Sequence, residues 1–384
     1  MKKIRAFSGV FLLLSLFILG SCSKSKDSLN QTVPNNPSNE KSAGVNTPFS
    51  VFASDFSFPR GLTFGPDGYL YVALAGTGGT DSTSCTQVIP PIGPYRGGNT
   101  SKIIKISPTG TVTTVADNLP SEVNALGFTS GVADVEFIGD NLYALLVAGC
   151  SHGIANYPSA VIKVNRKKGT WSVVADLSTF FHNNPVVAPE EDDFEPDGDP
   201  YSMVNVKGDL YVIEANHGEL LKVTRSGKVT RVIDFSAHFG HIVPTVVAVN
   251  NGNFFVGNLT PFPLIGGNAN IYKVKPGGEV KVWETGFTGV LGVAFDKEHR
   301  LYVLETSAGG GPIPGTGEVV RINKDKTRDV IVDKLFFPTG MIFGPKGELY
   351  ISNTGFGPPT GQIIKVAIKY DKEKGDKEDN QDDN

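Results

Sequence analysis

Cysteine, methionine, tryptophan and histidine are scarce in this chain: among 384 residues there are three, three, two and six of them. With no Cys-x-x-Cys and no His-x-x-x-His among so few, dithiol redox and zincin readings lack support. A P-loop is absent as well, so a nucleotide reading lacks it too. No apolar run is long enough for a permanent membrane span, the longest being Val10 to Leu19. No basic stripe interrupts a chain of formal net charge -4, and nucleic acid is therefore not an expected partner.

That apolar run follows Lys2, Lys3 and Arg5 and ends in Leu19-Gly20-Ser21-Cys22, the layout of an export signal closing on a bacterial lipobox. Residues 1–21 are expected to be a lipoprotein signal peptide and Cys22 the acylated new N-terminus. Several acyl chains, each adding about 0.8 kcal/mol per buried methylene, would hold the protein on a membrane. The other reading is an ordinary cleaved signal that happens to precede a cysteine. Loss of the three leader cations would take the charge from -4 by three to -7. The expected location is the bacterial cell envelope, and Ser23 after the cysteine points to the outer membrane. Residues 22–48 are Ser, Asn, Lys and Pro with little to bury, and read as a flexible tether. Residues 369–384 read as a disordered charged tail. Once Cys22 is lipidated, Cys85 and Cys150 are the remaining thiols in an oxidising compartment, and a disulfide between them is expected.

The body between these ends is repetitive. Six apolar-aromatic-apolar triplets, at Leu70, Leu142, Leu210, Phe254, Leu301 and Leu349, are each followed one loop later by an apolar-x-Lys/Arg-apolar strand. Period-2 strands with Pro-x-Gly turns, such as Gly65-Pro66-Asp67-Gly68, imply hairpins, and a short all-β period implies stacked blades. The expected fold is an all-β, six-bladed β-propeller of four-stranded antiparallel blades spanning residues 49–368. The sixth repeat lacks an outer strand, which the N-terminal segment around Ser50 to Ala53 is expected to supply, closing the ring. The triplets lie 72, 68, 44, 47 and 48 residues apart. The surplus in the first two repeats falls in loops that an up-down meander places on one face, where function concentrates.

Candidate functional residues gather where strands reach that face. Glu214, Asn216, His217, Asn258, Glu305 and Asn353 end the triplet strands, and a hard divalent cation, Ca2+ or Mg2+, is the cofactor such groups would suit. The alternative is that they hydrogen-bond loop backbone. Asp134 and Glu136 share one side of an innermost strand, where either water or a metal would compensate them. In the acidic loop from Glu190 to Asp199, Asp193, Glu195 and Asp197 alternate like calcium ligands. Val204 in place of a twelfth-position Glu excludes an EF-hand, leaving a looser calcium site (Glu195, Asp197) or a solvated loop. Among the histidines near this face, which include His152 and His238, the general-base or ligand candidates are His217, beside Glu214, and His241.

The stretches Pro59-Arg60-Gly61-Leu62-Thr63-Phe64-Gly65-Pro66-Asp67-Gly68, Gly149-Cys150-Ser151-His152-Gly153, Glu195-Pro196-Asp197-Gly198, Asn216-His217-Gly218-Glu219-Leu220 and Gly240-His241-Ile242-Val243-Pro244-Thr245 resemble the ScyD/ScyE family of exported proteins. So does Val290-Leu291-Gly292-Val293-Ala294-Phe295. The resemblance runs from about Phe49 to Val366 and implies a six-bladed propeller, distantly similar to NHL repeats and to the gluconolactonase group. It brings Arg60 among the ligand-binding candidates. The gluconolactonase likeness implies a divalent metal at the channel mouth, for which Glu214, Asn258, Glu305 and Asn353 are the positional analogues. Two functions are thus expected to compete. One is a membrane-anchored, monomeric binding propeller for a small organic ligand, a glycan or a partner protein. The other is a metal-dependent hydrolase or lyase.

Overall fold

A computed structural model describes residues 41–42, 47–85, 92–191 and 193–369. The signal segment, Cys22, most of the tether and the tail beyond residue 369 lie outside the described residues.

Six antiparallel sheets follow one another along the chain, each running from an innermost to an outermost strand. Blade one is Pro59–Phe64, Leu70–Leu74, Arg96–Ile106 and Val112–Val123, with Thr129–Ser130 as a short addition; blade two is Val132–Ile138, Asn141–Leu146, Ala160–Val164 and Trp171–Asp176. Blade three comprises Pro200–Val206, Asp209–Glu214, Glu219–Val223 and Val229–Asp234; blade four comprises Pro244–Asn250, Asn253–Asn258, Ala269–Val274 and Val280–Phe287. Blade five holds Val290–Phe295, Leu301–Glu305, Gly317–Ile322 and Arg328–Leu335. In blade six, Gly340–Phe343, Leu349–Asn353 and Gly361–Val366 are completed by the N-terminal strand Phe49–Phe56, in the register Phe49 to Val366 and Phe56 to Gly361. The ring is therefore closed by main-chain hydrogen bonds between the two ends of the body, which leaves no open seam. Two residues of the stretch read as a tether, Lys41–Ser42, pair in parallel with Arg328 and Asp329 on the rim of blade five.

The apolar side chains of each triplet are what hold neighbouring blades together. Six buried clusters occupy the six interfaces, for example Tyr71, Ile103, Val135 and Ala144 between blades one and two, and Tyr302, Val319, Ile351 and Ile364 between blades five and six. Each buried Val, Leu or Ile contributes roughly 1.5–3 kcal/mol. Four triplet aromatics meet an aromatic of the following innermost strand edge to face: Tyr71 with Phe137, Phe255 with Phe295, Tyr302 with Phe343 and Tyr350 with Phe64, at 4.8–5.3 Å. These rings are packing, as their spacing implied.

One face carries only tight turns. Gly68 takes φ +76° in the first of them, a conformation that costs glycine nothing. The other face carries the long loops, together with the helix Leu177–Asn183, which Asp176 caps by accepting from the Thr179 amide at 2.8 Å. Two stretches read as loop are in fact strand. Residues 96–101 and 118–123 extend the outer hairpin of blade one into a ribbon, with Arg96 opposite Val123 and Gly97 opposite Glu122. Gly97 is required there, because a Cβ would come within 2.5 Å of the Gly153 carbonyl.

Candidate functional site

The innermost strands enclose a cavity of about 350 Å³ lined mainly by Val, Leu, Met and Phe side chains, with Asp134, Glu136 and Tyr201 as its ionisable members. Asp134 Oδ2 accepts from the Met203 amide and Oδ1 from the Val135 amide, both at 2.8 Å. The close approach of Gly61, whose Cβ would fall 1.9 Å from Oδ1, makes room for this carboxylate. Burial pushes Asp134 up to about 8 and Glu136 up to about 7.

Above the cavity the loops of opposite blades meet. Phe128, at the tip of the ribbon extension of blade one, stacks on Phe356 of blade six with centroids 4.2 Å apart and touches Phe262 of blade four at 6.1 Å. Blades one and four face each other across the ring, so this aromatic bridge spans the channel mouth. At its base Arg60 donates from Nη2 to the Thr129 carbonyl at 2.6 Å.

Beside the bridge, blades one to three bring two groups of carboxylates together. The first carries its own cations. Glu214, fully buried, accepts from the amides of Asp199 and Asn216 through Oε1 and of His217 through Oε2, each at 2.8 Å. His217 Nδ1 lies 3.3 Å from Glu214 Oε2, and Arg231 Nε donates to Glu219 Oε2 at 2.6 Å. Burial works to raise the Glu214 pKa, but the imidazolium and the amides outweigh it and hold it below the ordinary value. Burial works against charge on His217 as well, and Glu214 overcomes it, leaving His217 at about 9. Ligand atoms of Glu214, His217 and Glu219 all lie within 4.8 Å of one another, the only such group of His, Cys, Asp and Glu found among the described residues. His217 meets the charge of Glu214 and Arg231 pairs with Glu219, although burial still raises Glu219 to about 7.

The second group is not balanced. Burial, followed by mutual repulsion, pushes Glu122 well above the ordinary value and Asp199 to about 7; burial, partly offset by a hydrogen bond from the Tyr95 hydroxyl, puts Glu195 at about 7. Arg60 is the cation facing Glu122 and Asp199. His152 Nε2 donates to the Gly198 carbonyl at 2.9 Å, so its Nδ1, in the neutral ring, is an acceptor facing Glu122 Oε1 at 4.0 Å. Among the described residues, neither that Nδ1 nor Glu122 Oε2 has a hydrogen-bond partner. Glu122 and His152 are closed to solvent, whereas Glu195, Asp199, Arg60 and Tyr201 are half-buried.

The remaining candidates are placed separately. Asn216 exchanges hydrogen bonds with the Glu195 backbone through Oδ1 and Nδ2. His241 Nδ1 lies 2.9 Å from Asp193 Oδ1. Asp197 accepts from the Ser151 amide and hydroxyl, at 2.8 and 2.9 Å. Asp193, Glu195 and Asp197 thus turn to three different partners. Asn258 accepts from the Asn270 amide and donates to the Ile242 carbonyl, Glu305 accepts from the Thr288 amide, and Asn353 accepts from the Phe336 amide. The four analogues of the gluconolactonase ligands are therefore each engaged by backbone. Cys85 and Cys150 form the expected disulfide. Gly149-Cys150-Ser151-His152-Gly153 also has the Gly-x-Ser-x-Gly spacing of a nucleophile elbow, which the sequence reading passed over. Ser151 is 4 % exposed inside a single 3-10 turn and bonds Asp197, while His152 faces Gly198, so no nucleophile–base pair forms.

Glu122, Tyr95, Asp199, Glu219 and Tyr201 were missed as site residues. The signal for Glu122 was the unbroken run from Arg96 into the third strand, which lets the ribbon continue.

No protein-family model and no curated protein matches the chain. Solved structures do match in fold. A streptogramin B lyase aligns at 14 % identity over 85 % of this chain and 99 % of its own, with a TM-score of 0.50. A gluconolactonase from Xanthomonas campestris aligns at 8 % over 84 % and 91 %, TM-score 0.50, and a glucose dehydrogenase at 13 % over 84 % and 100 %, TM-score 0.52. At these identities the likeness is one of fold: this chain is a six-bladed β-propeller with gluconolactonase-like and streptogramin B lyase-like structural neighbours.

Proposed function

We propose that this chain is a ScyD/ScyE-like exported propeller, anchored by lipid on Cys22, that binds a small hydroxyl-rich organic ligand at its channel mouth. The observation that carries this reading is the half-open trio of Glu195, Asp199 and Arg60 beside an aromatic bridge. Carboxyl groups near half-protonation both donate to and accept from ligand hydroxyls, Arg60 donates, and aromatic faces stack on the apolar face of a ring. The test is a thermal-shift screen of sugars and small polyols on the mature protein, followed by Kd measurements on Asp199→Asn and Glu195→Gln. Each substitution is expected to weaken the hits about tenfold, the effect of one charge-assisted hydrogen bond. Hits that bind both variants as tightly as the parent would place the site elsewhere. Loss of acylation in Cys22→Ala, followed by mass spectrometry, tests the anchor.

The same unbalanced carboxylates support a second reading, a metal-dependent hydrolase or lyase, since a divalent cation between Glu195 and Asp199 would relieve their repulsion. Elemental analysis, with lactone and ester turnover measured before and after chelation, separates the two.

A further inference from the structure

A cavity of about 920 Å³ lies away from the channel mouth, in the cleft between the outer strands of blades one and two, on the side of the tight turns. Its walls carry Lys105, Lys163, Arg166 and Lys167 against a single lining carboxylate, Asp140. In a chain of net charge -4 such a concentration of cations is local, and its arrangement is ordered. Asp67, outside the lining, fixes one wall: it lies 3.6 Å from both Lys105 Nζ and Arg166 Nη1 and accepts from the Tyr71 hydroxyl at 2.8 Å. Arg166 Nη2 donates to the Asp140 carbonyl at 3.0 Å. One carboxylate thus orients two cations without neutralising them. Lys163 and Lys167 on the opposite lip are exposed and have no carboxylate partner among the described residues.

The floor adds a different chemistry. Trp171, half-buried, lines the cleft with the hydroxyls of Thr113, Thr114 and Ser172 nearby, and Tyr157 backs the indole at 5.0 Å. An indole face, hydroxyls and a lip of ammonium groups suit a short chain of anionic sugars, whose ring faces stack while the carboxylates meet lysine. A flat bilayer could not reach the base of this cleft, and the net negative chain opposes a long polyanion such as nucleic acid. We propose that the cleft between blades one and two is a binding site for a short acidic oligosaccharide, independent of the channel-mouth site.

The probe is a short oligogalacturonate, titrated into the full protein and followed by calorimetry and tryptophan fluorescence. Its methyl ester, inorganic phosphate and phosphatidylglycerol–phosphatidylcholine vesicles serve as the other arms. The acid form is expected to bind with an affinity that falls as salt rises, to shift the fluorescence of Trp171, and to lose at least about tenfold in the Lys163→Glu, Lys167→Glu double variant. Both lysines are exposed, so the variant should keep the parent's melting temperature; Lys163→Gln with Lys167→Gln gives a milder version of the same loss. No binding of the acid form, equal binding of its methyl ester, full affinity in the double variant, phosphate binding as tight as the oligomer, or binding to vesicles alone would each overturn the assignment. Failure of the channel-mouth substitutions to affect sugar binding would leave it untouched.

Discussion

Two neighbouring groups of buried carboxylates in blades one to three show how the same residue type serves opposite ends. Glu214 and Glu219 are as buried as Glu122, yet they come with His217, Arg231 and three backbone amides; Glu214 titrates below its ordinary value, while burial still lifts Glu219 to about 7. Glu122 and Asp199 face Arg60, Asp199 faces His152 and Glu195 faces His217, yet all three titrate above theirs. The first group pins the Asp199 to His217 region onto blade three. The second holds charge that its own surroundings do not balance, as a site awaiting a ligand does. Burial alone, then, does not mark a functional carboxylate; the missing counter-charge does.

The sharpest way to break this comparison is to remove one member of each group. Glu214→Ala deletes an ion pair and three amide acceptors at once, and urea unfolding should show a loss of roughly 3–5 kcal/mol, the cost of breaking a buried pair. Glu122→Gln keeps the shape of a carboxyl already driven toward its neutral form and should change stability by less than about 1 kcal/mol. If both variants lost the same amount, the two groups would not differ in kind.

A second test acts through the covalent frame. Cys85 and Cys150 are 65 residues apart, and Cys150 opens the 3-10 turn that carries His152. Replacing both by serine should cost about 4 kcal/mol or somewhat less by the loop-closure argument. It should also loosen the Glu122–His152 contact while leaving Glu214 and His217 in place. Resonances of the two imidazoles report this directly: the His152 signal should broaden or shift and the His217 signal should not. Equal movement of both would mean that the two groups form one cooperative unit.

The parts of this molecule legible in the sequence are those that local rules encode. Period-2 alternation and Pro-Gly turns determine the blades, a missing outer strand in the sixth repeat implies closure by Phe49–Phe56, and two leftover cysteines imply their bond. Strand-end polarity picked out Glu214, Asn216 and His217, but not whether they serve a ligand or the backbone, because that depends on where loop amides arrive. Glu122 was hidden for a related reason. Its burial arises from the pairing of Gly97 with Glu122 in a ribbon whose strands lack clean alternation, and from a contact with blade two at His152. The cleft lined by Lys105 and Arg166 was equally invisible, since it exists only between two blades whose residues lie about sixty positions apart.

The smallest expected effect is the one that separates the groups most finely, the dependence of stability on pH. Glu195 and Asp199 rise from ordinary values of 4.5 and 3.8 to about 7 in the fold. The folded state thus holds their protons more tightly, and the stability they contribute is full below about pH 4 and is lost as pH climbs through about 7. His217, raised from 6.5 to about 9, keeps its contribution up to about pH 6.5 and loses it as pH climbs through about 9. Glu214 has the opposite sign, its contribution being present above about 4.5 and lost as pH falls. Between about pH 4.5 and 6.5 Glu214 and His217 are therefore level, while Glu195, Asp199 and also Glu219, which burial raises to about 7, slope downward. Urea unfolding at a series of pH values should show that slope in the parent and a shallower one in Glu195→Gln, Asp199→Asn, with the remainder due to Glu122, Glu219 and, in the channel, Asp134 and Glu136. The decline toward pH 9 should persist in the double variant, because His217 still titrates there. An undiminished slope below pH 7 would show that the proton-holding groups are Glu122, Glu219 and those of the channel, and that Glu195 and Asp199 are already balanced.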